Sequence, residues 1–283
     1  MAKIPFYLTN AFTKNPFEGN PAGVVLDADD MEKEKMQKIA AEIKASETAF
    51  VMESDKADHK IRFFSPKREV SLCGHATIAS FHTMMEEGMI RGEKFRVETM
   101  AGMINVYFIH DIIFMEQKPA VFRGIKVGKE EVARALGIKE GEIAEYPVEA
   151  VSTGLFSLNV PINSIEAMEK MKPDFEKIKD VCRKTSTGAI FAFTFETLDP
   201  RCYVHARCFA PLYGVNEDPV TGTANGALGA YLKKHKLLEK NPYRAEQGVE
   251  MGRKGIVMVD VRERVRVGGE ACIVLRGKIE TQE

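Results

Sequence analysis

The sequence lacks a charge excess and a long apolar run, and each absence removes a class of partner. Lys and Arg number 40 and Asp and Glu number 41, which gives a net charge of −1. This balance offers no electrostatic reason to expect a nucleic-acid partner. The longest apolar runs, such as residues 112–115, fall far short of the roughly 18–20 residues that a membrane helix needs. Residues 1–6 lack the apolar core of a signal peptide, so we expect no membrane partner and a cytoplasmic location.

The sequence also lacks an even number of cysteines. The five cysteines are Cys73, Cys182, Cys202, Cys208 and Cys272. An odd number spread through a long chain argues against a disulfide framework. Residues 202–208 combine two cysteines with a histidine, but alternation along the predicted strand puts His205 on the opposite face from both cysteines. We therefore predict two buried structural thiols there and no metal site.

Nucleotide-binding glycine motifs are absent too. No G-x-G-x-x-G follows a predicted strand, and no glycine-rich loop ends in Lys-Ser or Lys-Thr. The sequence therefore predicts neither a nucleotide cofactor nor a phosphate loop.

The composition is that of an ordinary globular protein. The chain has 283 residues, of which 45% are hydrophobic and 29% charged. At roughly 150 residues per domain, this length predicts about two domains. No Pro/Ser-rich linker interrupts the chain, so the domains are expected to pack directly against each other.

Strand-like segments outnumber helical ones about two to one, and several follow each other without an intervening helix. Strands are predicted at residues 3–9, 22–26, 47–52, 60–64, 94–99, 103–109, 112–115, 150–158, 190–195, 202–209, 255–261, 264–267 and 272–275. Helices are predicted at 29–44, 75–87, 129–136, 173–183 and 223–236. Acidic residues begin the first helix, Pro173 suits a first helical turn, and Gly88 and Gly137 suit C-terminal caps. The pattern indicates an α+β fold.

Two parts of the chain repeat each other. Residues 62–66 and 207–211 both read R-x-F-[SA]-P, and residues 74–79 and 222–227 both read G-x-A-x-x-A. Each copy is a strand, a proline turn, a glycine and a helix. Glycine permits close approach of a ligand, and the first N–H groups of a helix attract anions. If the match is not chance, two such helix starts facing each other would hold a small anionic molecule between the domains.

Three titratable residues lie near these glycines or in a predicted half-buried strand. His75 follows Gly74, Asp218 precedes Gly222 by four residues, and Glu47 is a carboxylate at the start of a segment that otherwise reads as a half-buried strand. Each has a plain alternative: a surface histidine, a turn former before proline and a solvent-facing strand residue. Together with the paired helix starts, they form a candidate catalytic set.

Ordered motifs along nearly the whole chain closely resemble the phenazine-biosynthesis-like (PhzF-like) isomerase family. These motifs are FEGNPAGV at 17–24, SETAF at 46–50, LCGHAT at 72–77, EDPVTGTA at 217–224 and EQG at 246–248. The resemblance implies a diaminopimelate-epimerase-like fold, with two pseudo-symmetric domains that each curl a β-sheet or barrel around a central helix. It places the site in the cleft between them and implies a homodimer. The expected domains are residues 1–117, joined by a last strand at about 270–283, and residues 118–269.

The resemblance also implies roles for residues. Glu47 would be the acid/base, with His75 and Asp218 as further catalytic residues. The residues expected to bind substrate are Asn20, Ser46, Cys73, Gly74, Thr221, Gly222 and Thr223. A carboxylate that moves a carbon-bound proton near neutral pH needs a raised pKa, which burial supplies. The expected activity is cofactor-independent isomerisation of a small carboxylic acid, without a metal; the alternatives are an epimerase or lyase and a non-catalytic metabolite-binding protein.

The sequence departs from the family pattern at two positions, and it differs from sister enzymes of the fold at a third. Asn10 replaces an Asp that many relatives carry, and Asn225, at the edge of the expected pocket, replaces a His that several relatives carry. Sister enzymes of this fold use two cysteines, whereas here Cys73 is matched by Thr221. An unassisted hydroxyl is too weak an acid for that role. We therefore expect no two-cysteine racemisation and interpret Cys73 as a packing residue.

Overall fold

The computed structural model describes residues 2–281, which form six α-helices and eighteen β-strands. The strands are β1 (Ala2–Ala11), β2 (Asn20–Val25), β3 (Glu47–Met52), β4 (His59–Phe64), β5 (Glu69–Val70), β6 (Lys94–Thr99), β7 (Gly102–Ile109), β8 (Ile112–Glu116), β9 (Val121–Arg123), β10 (Glu149–Ser152), β11 (Phe156–Pro161), β12 (Ala189–Thr194), β13 (Val204–Ala210), β14 (Val215–Asp218), β15 (Tyr243–Gln247), β16 (Gly255–Asp260), β17 (Arg266–Gly269) and β18 (Ala271–Thr281). The helices are α1 (Lys33–Ile43), α2 (Gly74–Glu86), α3 (Lys129–Leu136), α4 (Ile165–Lys170), α5 (Phe175–Thr185) and α6 (Gly222–Lys234).

Packing divides the chain into two compact units. Unit 1 comprises the residues up to Glu116 together with those from Gly268 onward, and unit 2 is Gln117–Val267. The expected domain boundaries after residues 117 and 269 stay a prediction. Every helix in the part of the chain that the structure describes is too short or too polar to cross a bilayer.

Unit 1 is a curled sheet around helix α2. β1 pairs antiparallel with both β2 and β18, β2 runs parallel to β3, and β3 pairs antiparallel with β4. β4 runs parallel to β6, which continues antiparallel through β7 and β8. Ten of the thirteen residues of α2 are buried, because the helix packs against β1, β2, β3, β8 and β18. A helix that is apolar on all sides is typical of such a central position.

Unit 2 repeats this arrangement around α6. β9, β10 and β11 form an antiparallel group, β11 runs parallel to β12, and β12 pairs antiparallel with β13. β13 pairs antiparallel with β14 and parallel with β15, which is followed by β16. Ten of the thirteen residues of α6 are buried, and α6 packs against β10, β11 and β16. The predicted α+β class, with a central helix in each half, is confirmed.

The internal sequence repeat has a structural counterpart. In unit 1, Arg62 binds Glu69 through two hydrogen bonds of 2.7 and 3.0 Å. In unit 2, Arg207 binds Glu217 through two hydrogen bonds of 2.9 Å. Each guanidinium also lies over the phenylalanine two residues later, with its Cζ 5.3 Å or 5.1 Å from the ring centroid. The same local construction therefore precedes each central helix.

The extra three residues of the second copy lie in its strand-to-strand turn. Glu69 and Glu217 each precede the helix glycine by five positions. The insertion therefore falls before Glu217, where Pro211–Tyr213 forms a short 3₁₀ helix. The sequence comparison predicted a loop insertion without locating it.

Two strand predictions were wrong. Residues 150–158 are not one strand but the hairpin β10–β11, in which Ser152 pairs with Phe156. The turn at Gly154 is closed by a hydrogen bond from the Gly154 N–H to Ser152 Oγ at 3.1 Å. The turn was not predicted because apolar residues on both sides of it resemble one continuous strand. Cys202 precedes β13 and is partly exposed, so only Cys208 is the expected buried strand thiol.

Two helix starts were also misplaced. α1 begins at Lys33 rather than at 29, because Asp29 accepts a hydrogen bond from the Glu53 N–H at 2.6 Å and takes no part in the helix. α5 begins at Phe175 with Asp174 as its N-cap, so Pro173 lies outside the first turn. α3, β3 and β6 have the predicted bounds. The short elements β5, β9, β14, β15 and α4 were not predicted.

Candidate active site

The first cluster of predicted site residues lies at the N-terminus of α2. Parallel pairing of β2 with β3 aligns Ala22 with Glu47, which brings Asn20 and Ser46 together where the two strands begin. Ser46 Oγ donates to the carbonyl of Pro21 at 3.1 Å and lies 3.4 Å from Asn20 Oδ1. The buried Asn20 and the half-buried Ser46 therefore form one wall of the cluster.

Glu47, Cys73 and His75 complete this cluster. His75 Nε2 lies 3.4 Å from Glu47 Oε2 and 3.1 Å from Ser46 Oγ. Cys73 Sγ lies 3.7 Å from Glu47 Oε2 and 3.4 Å from His75 Nδ1. Because the Ser46 hydroxyl donates to Pro21, it is placed to accept from His75 Nε2–H. The Cys73 thiol is placed to donate to Glu47 Oε2. The predicted residues of unit 1 are thus brought into mutual contact.

Burial decides the charge of the histidine. His75 is 8% exposed, so its interpretation as a surface histidine is wrong. Burial lowers the pKa of His75 to about 4, which makes the imidazole neutral at pH 7. The Glu47 side chain is 22% exposed, so it contacts the cluster and remains accessible from solvent. A carboxylate at the mouth of a buried polar cluster is a geometry that general acid/base chemistry uses.

A glycine with positive φ precedes Asn20 and fixes its position. Gly19 has φ +64, and a Cβ there would lie 2.3 Å from the Ala11 carbonyl oxygen. Only glycine combines this backbone conformation with so close an approach. The glycine in the family-like motif at 17–24 is therefore needed to position the first residue of β2.

The second cluster lies at the N-terminus of α6 in unit 2. Asp218, the last residue of β14, accepts a hydrogen bond from the Thr221 hydroxyl. This contact spans the turn between β14 and α6, so the turn-forming interpretation of Asp218 describes its geometry correctly. Thr221 is the N-cap residue, and Gly222 and Thr223 form the first turn of the helix.

Gln247, which was not among the predicted site residues, holds this second cluster together. Its Nε2 donates to the Asp218 carbonyl at 2.9 Å and to Thr221 Oγ1 at 3.2 Å. Its Oε1 accepts from the Thr221 N–H and from Asn225 Nδ2, each at 3.0 Å. Asn225, which departs from the family pattern, also donates to the Thr221 carbonyl at 3.0 Å. The only sequence signal for Gln247 was its place in the EQG motif.

The two helix starts share a cap geometry. Cys73 and Thr221 are the N-cap residues of α2 and α6, both have extended backbone, and neither side chain accepts a hydrogen bond from its helix. A helix N-terminus carries positive partial charge that favours an anion. The local geometry at Gly74 and Gly222 therefore suits a carboxylate.

The predicted strand carrying His205 takes part in a buried charge network. His205 lies between Glu246 and Glu250, with Nδ1 3.0 Å from Glu246 Oε1 and Nε2 2.8 Å from Glu250 Oε1. Burial alone would lower the pKa of His205, but the hydrogen bonds to the two carboxylates outweigh it and raise the pKa to about 9. His205 is therefore an imidazolium at neutral pH that bridges two carboxylates.

A separate cavity of about 520 Å³ lies in unit 2. Its lining includes Gln117, Phe122, Lys233, Arg264 and Val265, and contains none of the predicted site residues. This cavity therefore does not identify the two clusters, which are defined by their polar contacts.

Comparison with known proteins agrees with this description. A family model described as phenazine biosynthesis-like protein matches residues 9–277. An uncharacterized isomerase of Bacillus subtilis is 39% identical over 276 residues, which cover 94% of this chain and 92% of that protein. The crystal structure of a PhzF-family phenazine biosynthesis protein from Bacillus anthracis superposes with a TM-score of 0.92 at 32% identity, over 99% of this chain and 100% of that one.

A more distant structure defines the wider fold class. A hydroxyproline epimerase from Agrobacterium vitis has a TM-score of 0.64 at 10% identity, over 99% of this chain and 91% of that one, which is a likeness of fold alone. The fold is that of the diaminopimelate-epimerase-like enzymes. Within this class, the chain belongs to the phenazine biosynthesis-like (PhzF) family and is an isomerase of that type.

Proposed function

We propose that this isomerase moves a proton on a small carboxylic acid without a cofactor, with Glu47 as the acid/base. The N-termini of α2 and α6 would bind the carboxylate of the substrate. The observation that carries the proposal is the position of Glu47, 3.4 Å from His75 Nε2 beside the start of α2 and still 22% exposed. A carboxylate in that position is able to reach a bound substrate and is held by neighbouring polar groups.

The proposed reaction conserves atoms and electrons within the substrate. The Glu47 carboxylate removes a proton from a carbon next to an unsaturated or carbonyl group, and the electron pair of the C–H bond moves into that group. The proton then returns to a different carbon, which shifts the double bond and restores the carboxylate. Helix N-termini stabilise the negative charge that develops on the substrate between these steps.

His75, which is neutral at pH 7, and Asp218 have assisting roles in this proposal. The His75 imidazole contacts Glu47, Ser46 and Cys73, so it orients the carboxylate and completes the polar wall. Asp218, held by Thr221 and Gln247, would contact substrate from the second cluster. Asn20, Ser46, Cys73, Gly74, Thr221, Gly222 and Thr223 are proposed to bind substrate.

Deuterium exchange tests the proposal. Small unsaturated or cyclic carboxylic acids are first screened for ligand-induced thermal stabilisation, and those that bind are incubated with the enzyme in D2O. An enzyme that shifts a double bond introduces deuterium at a new carbon, whereas an epimerase introduces deuterium at an inverted stereocentre. Acids that bind without exchange, in a protein shown to be folded, contradict catalysis and support a metabolite-binding protein. The homodimer and the cytoplasmic location remain predictions.

A further inference from the structure

Glu47, Cys73 and His75 offer three different kinds of metal ligand in one place. Their carboxylate oxygen, sulfur and imidazole nitrogen atoms all lie within 4.8 Å of one another. We propose that these three side chains bind Zn²⁺ and that bound zinc inhibits the enzyme reversibly. The binding itself is independent of the reaction, whereas the inhibition rests on the proposed function of Glu47.

The spacing of the three ligand atoms agrees with tetrahedral zinc. Zinc bonds of about 2.3 Å to sulfur and about 2.0–2.1 Å to nitrogen and oxygen imply separations of about 3.5 Å from sulfur to either ligand and about 3.3 Å from nitrogen to oxygen. The corresponding distances are 3.8 Å from Cys73 Sγ to His75 Nε2, 3.7 Å from Sγ to Glu47 Oε2 and 3.4 Å from Nε2 to Oε2. The three separations therefore match the edges of a zinc tetrahedron to within a few tenths of an ångström, and the Cys73 thiol, which lies 3.4 Å from His75 Nδ1, turns toward the Nε2 side of the ring when the ion binds.

The elements that carry these ligands are well packed. Cys73 is the N-cap of α2 and His75 lies in its first turn, while Glu47 is the first residue of β3. α2 is buried against β3, and both Cys73 and His75 are 8% exposed. Side chains fixed in this way lose little conformational entropy when they bind an ion.

The ligand set selects a particular class of ion. Sulfur and imidazole ligands suit zinc, whereas magnesium and calcium require oxygen ligands in larger number. Three protein ligands leave a fourth position, and the Ser46 hydroxyl, 3.1 Å from His75 Nε2, lies beside it. Zinc binding takes the thiol proton of Cys73, which is released to solvent.

Bound zinc blocks proton transfer because it occupies the oxygen that Glu47 would use. A carboxylate bound to zinc has lost the basicity needed to remove a proton from carbon. The predicted effect is reversible inhibition by Zn²⁺ that a chelator removes and that Mg²⁺ does not produce.

Cobalt absorption and equilibrium dialysis test the binding without any substrate. Co²⁺ serves as a spectroscopic probe for the zinc site, since a cobalt–thiolate bond gives a near-ultraviolet charge-transfer band. We expect this band with the full chain, one bound ion per chain, and displacement of Co²⁺ by Zn²⁺. Cys73→Ser is expected to lose the band, and Cys272→Ser, which changes another cysteine of unit 1, is expected to keep it. Circular dichroism confirms that each variant is folded.

The outcomes separate the two parts of the inference. Absence of the band in the wild-type chain, or an unchanged band in Cys73→Ser, contradicts the site. His75→Gln provides a second test, since it is expected to weaken zinc binding at least ~10-fold even if Cys73→Ser does not fold. Zinc that binds at this site but leaves measured turnover unchanged contradicts the inhibition alone. Failure to find a substrate leaves the binding result decisive, because dialysis and absorption require no turnover.

Discussion

Glu47 Oε2 lies 3.4 Å from His75 Nε2, and because burial lowers the pKa of the histidine to about 4, this contact is not an ion pair at pH 7. An arrangement of this kind orients a base without neutralising it, which is what proton removal from carbon requires.

Glu47→Gln is expected to lower turnover at least ~10²-fold, because the amide keeps the shape of the side chain but has no basic oxygen. Glu53→Gln, a change at an exposed glutamate just after the same strand, is the matched control and should retain turnover. The measurement is deuterium exchange into an accepted acid, with thermal unfolding recorded for both variants. Near-wild-type exchange in Glu47→Gln would remove Glu47 from the mechanism.

Gln247→Leu is expected to destabilise unit 2 by about 3 kcal/mol, because it leaves several buried partners at the start of α6 without their hydrogen bonds. Gln117→Leu is the matched control. Gln117 is also buried in unit 2, but its Nε2 has no hydrogen-bond partner among the described residues, so we expect a loss below ~1 kcal/mol. Urea unfolding measures both. Equal losses in the two variants would contradict the positioning role of Gln247.

The His205 network predicts a pH dependence of stability. Because the folded-state pKa of His205 is raised to about 9, its stabilisation is fully present below the unfolded pKa of about 6.5 and is lost as pH rises through about 9. His205→Gln lacks this titration. Urea unfolding from about pH 6 to about pH 10 should show the variant less stable by on the order of 3 kcal/mol at the acidic end, with the difference shrinking as pH rises. A difference that is constant across this range would contradict the charged state assigned to His205.

Gly19→Ala and Gly88→Ala form a matched pair of glycine substitutions in unit 1. Both glycines have positive φ, +64 and +71, so each substitution carries a backbone penalty of roughly 1–2 kcal/mol. A Cβ at Gly88 meets nothing within 4 Å, whereas one at Gly19 lies 2.3 Å from the Ala11 carbonyl oxygen. We expect Gly19→Ala to cost at least about 3 kcal/mol or to prevent folding. Thermal unfolding that gives equal losses for the two would show that β2 relaxes around the new methyl group.

Elements with a strong local pattern could be predicted from the sequence. The helix α3 carries a buried stripe that includes Val132 and Leu136 and ends at Gly137, whose left-handed backbone closes it, and both bounds were predicted correctly. Strands β3 and β6 likewise have the predicted bounds. The six-residue helix α4 and the two-residue strand β5 are too short to show a periodicity, and only tertiary pairing defines them.

The candidate site divides in the same way. The cluster of Glu47, Cys73 and His75 could be predicted because each member belongs to a motif that resembles one family. The role of Gln247 could not, because its partners Asp218 and Thr221 are distant in sequence and only the parallel pairing of β13 with β15 and the packing of α6 bring them together. The catalytic and binding roles of the predicted residues stay a prediction, which the experiments above decide.

The pairing of β1 with β18 has a consequence for the order in which the protein assembles. Residues Ala2–Ala11 are hydrogen-bonded to Ala271–Thr281, while all of unit 2 lies between them in the chain. A ribosome therefore delivers unit 2 complete while unit 1 still lacks a strand beside β1. Until residues 271–281 have been translated, one edge of β1 in the nascent polypeptide exposes unpaired backbone amides and carbonyls that can pair with another strand.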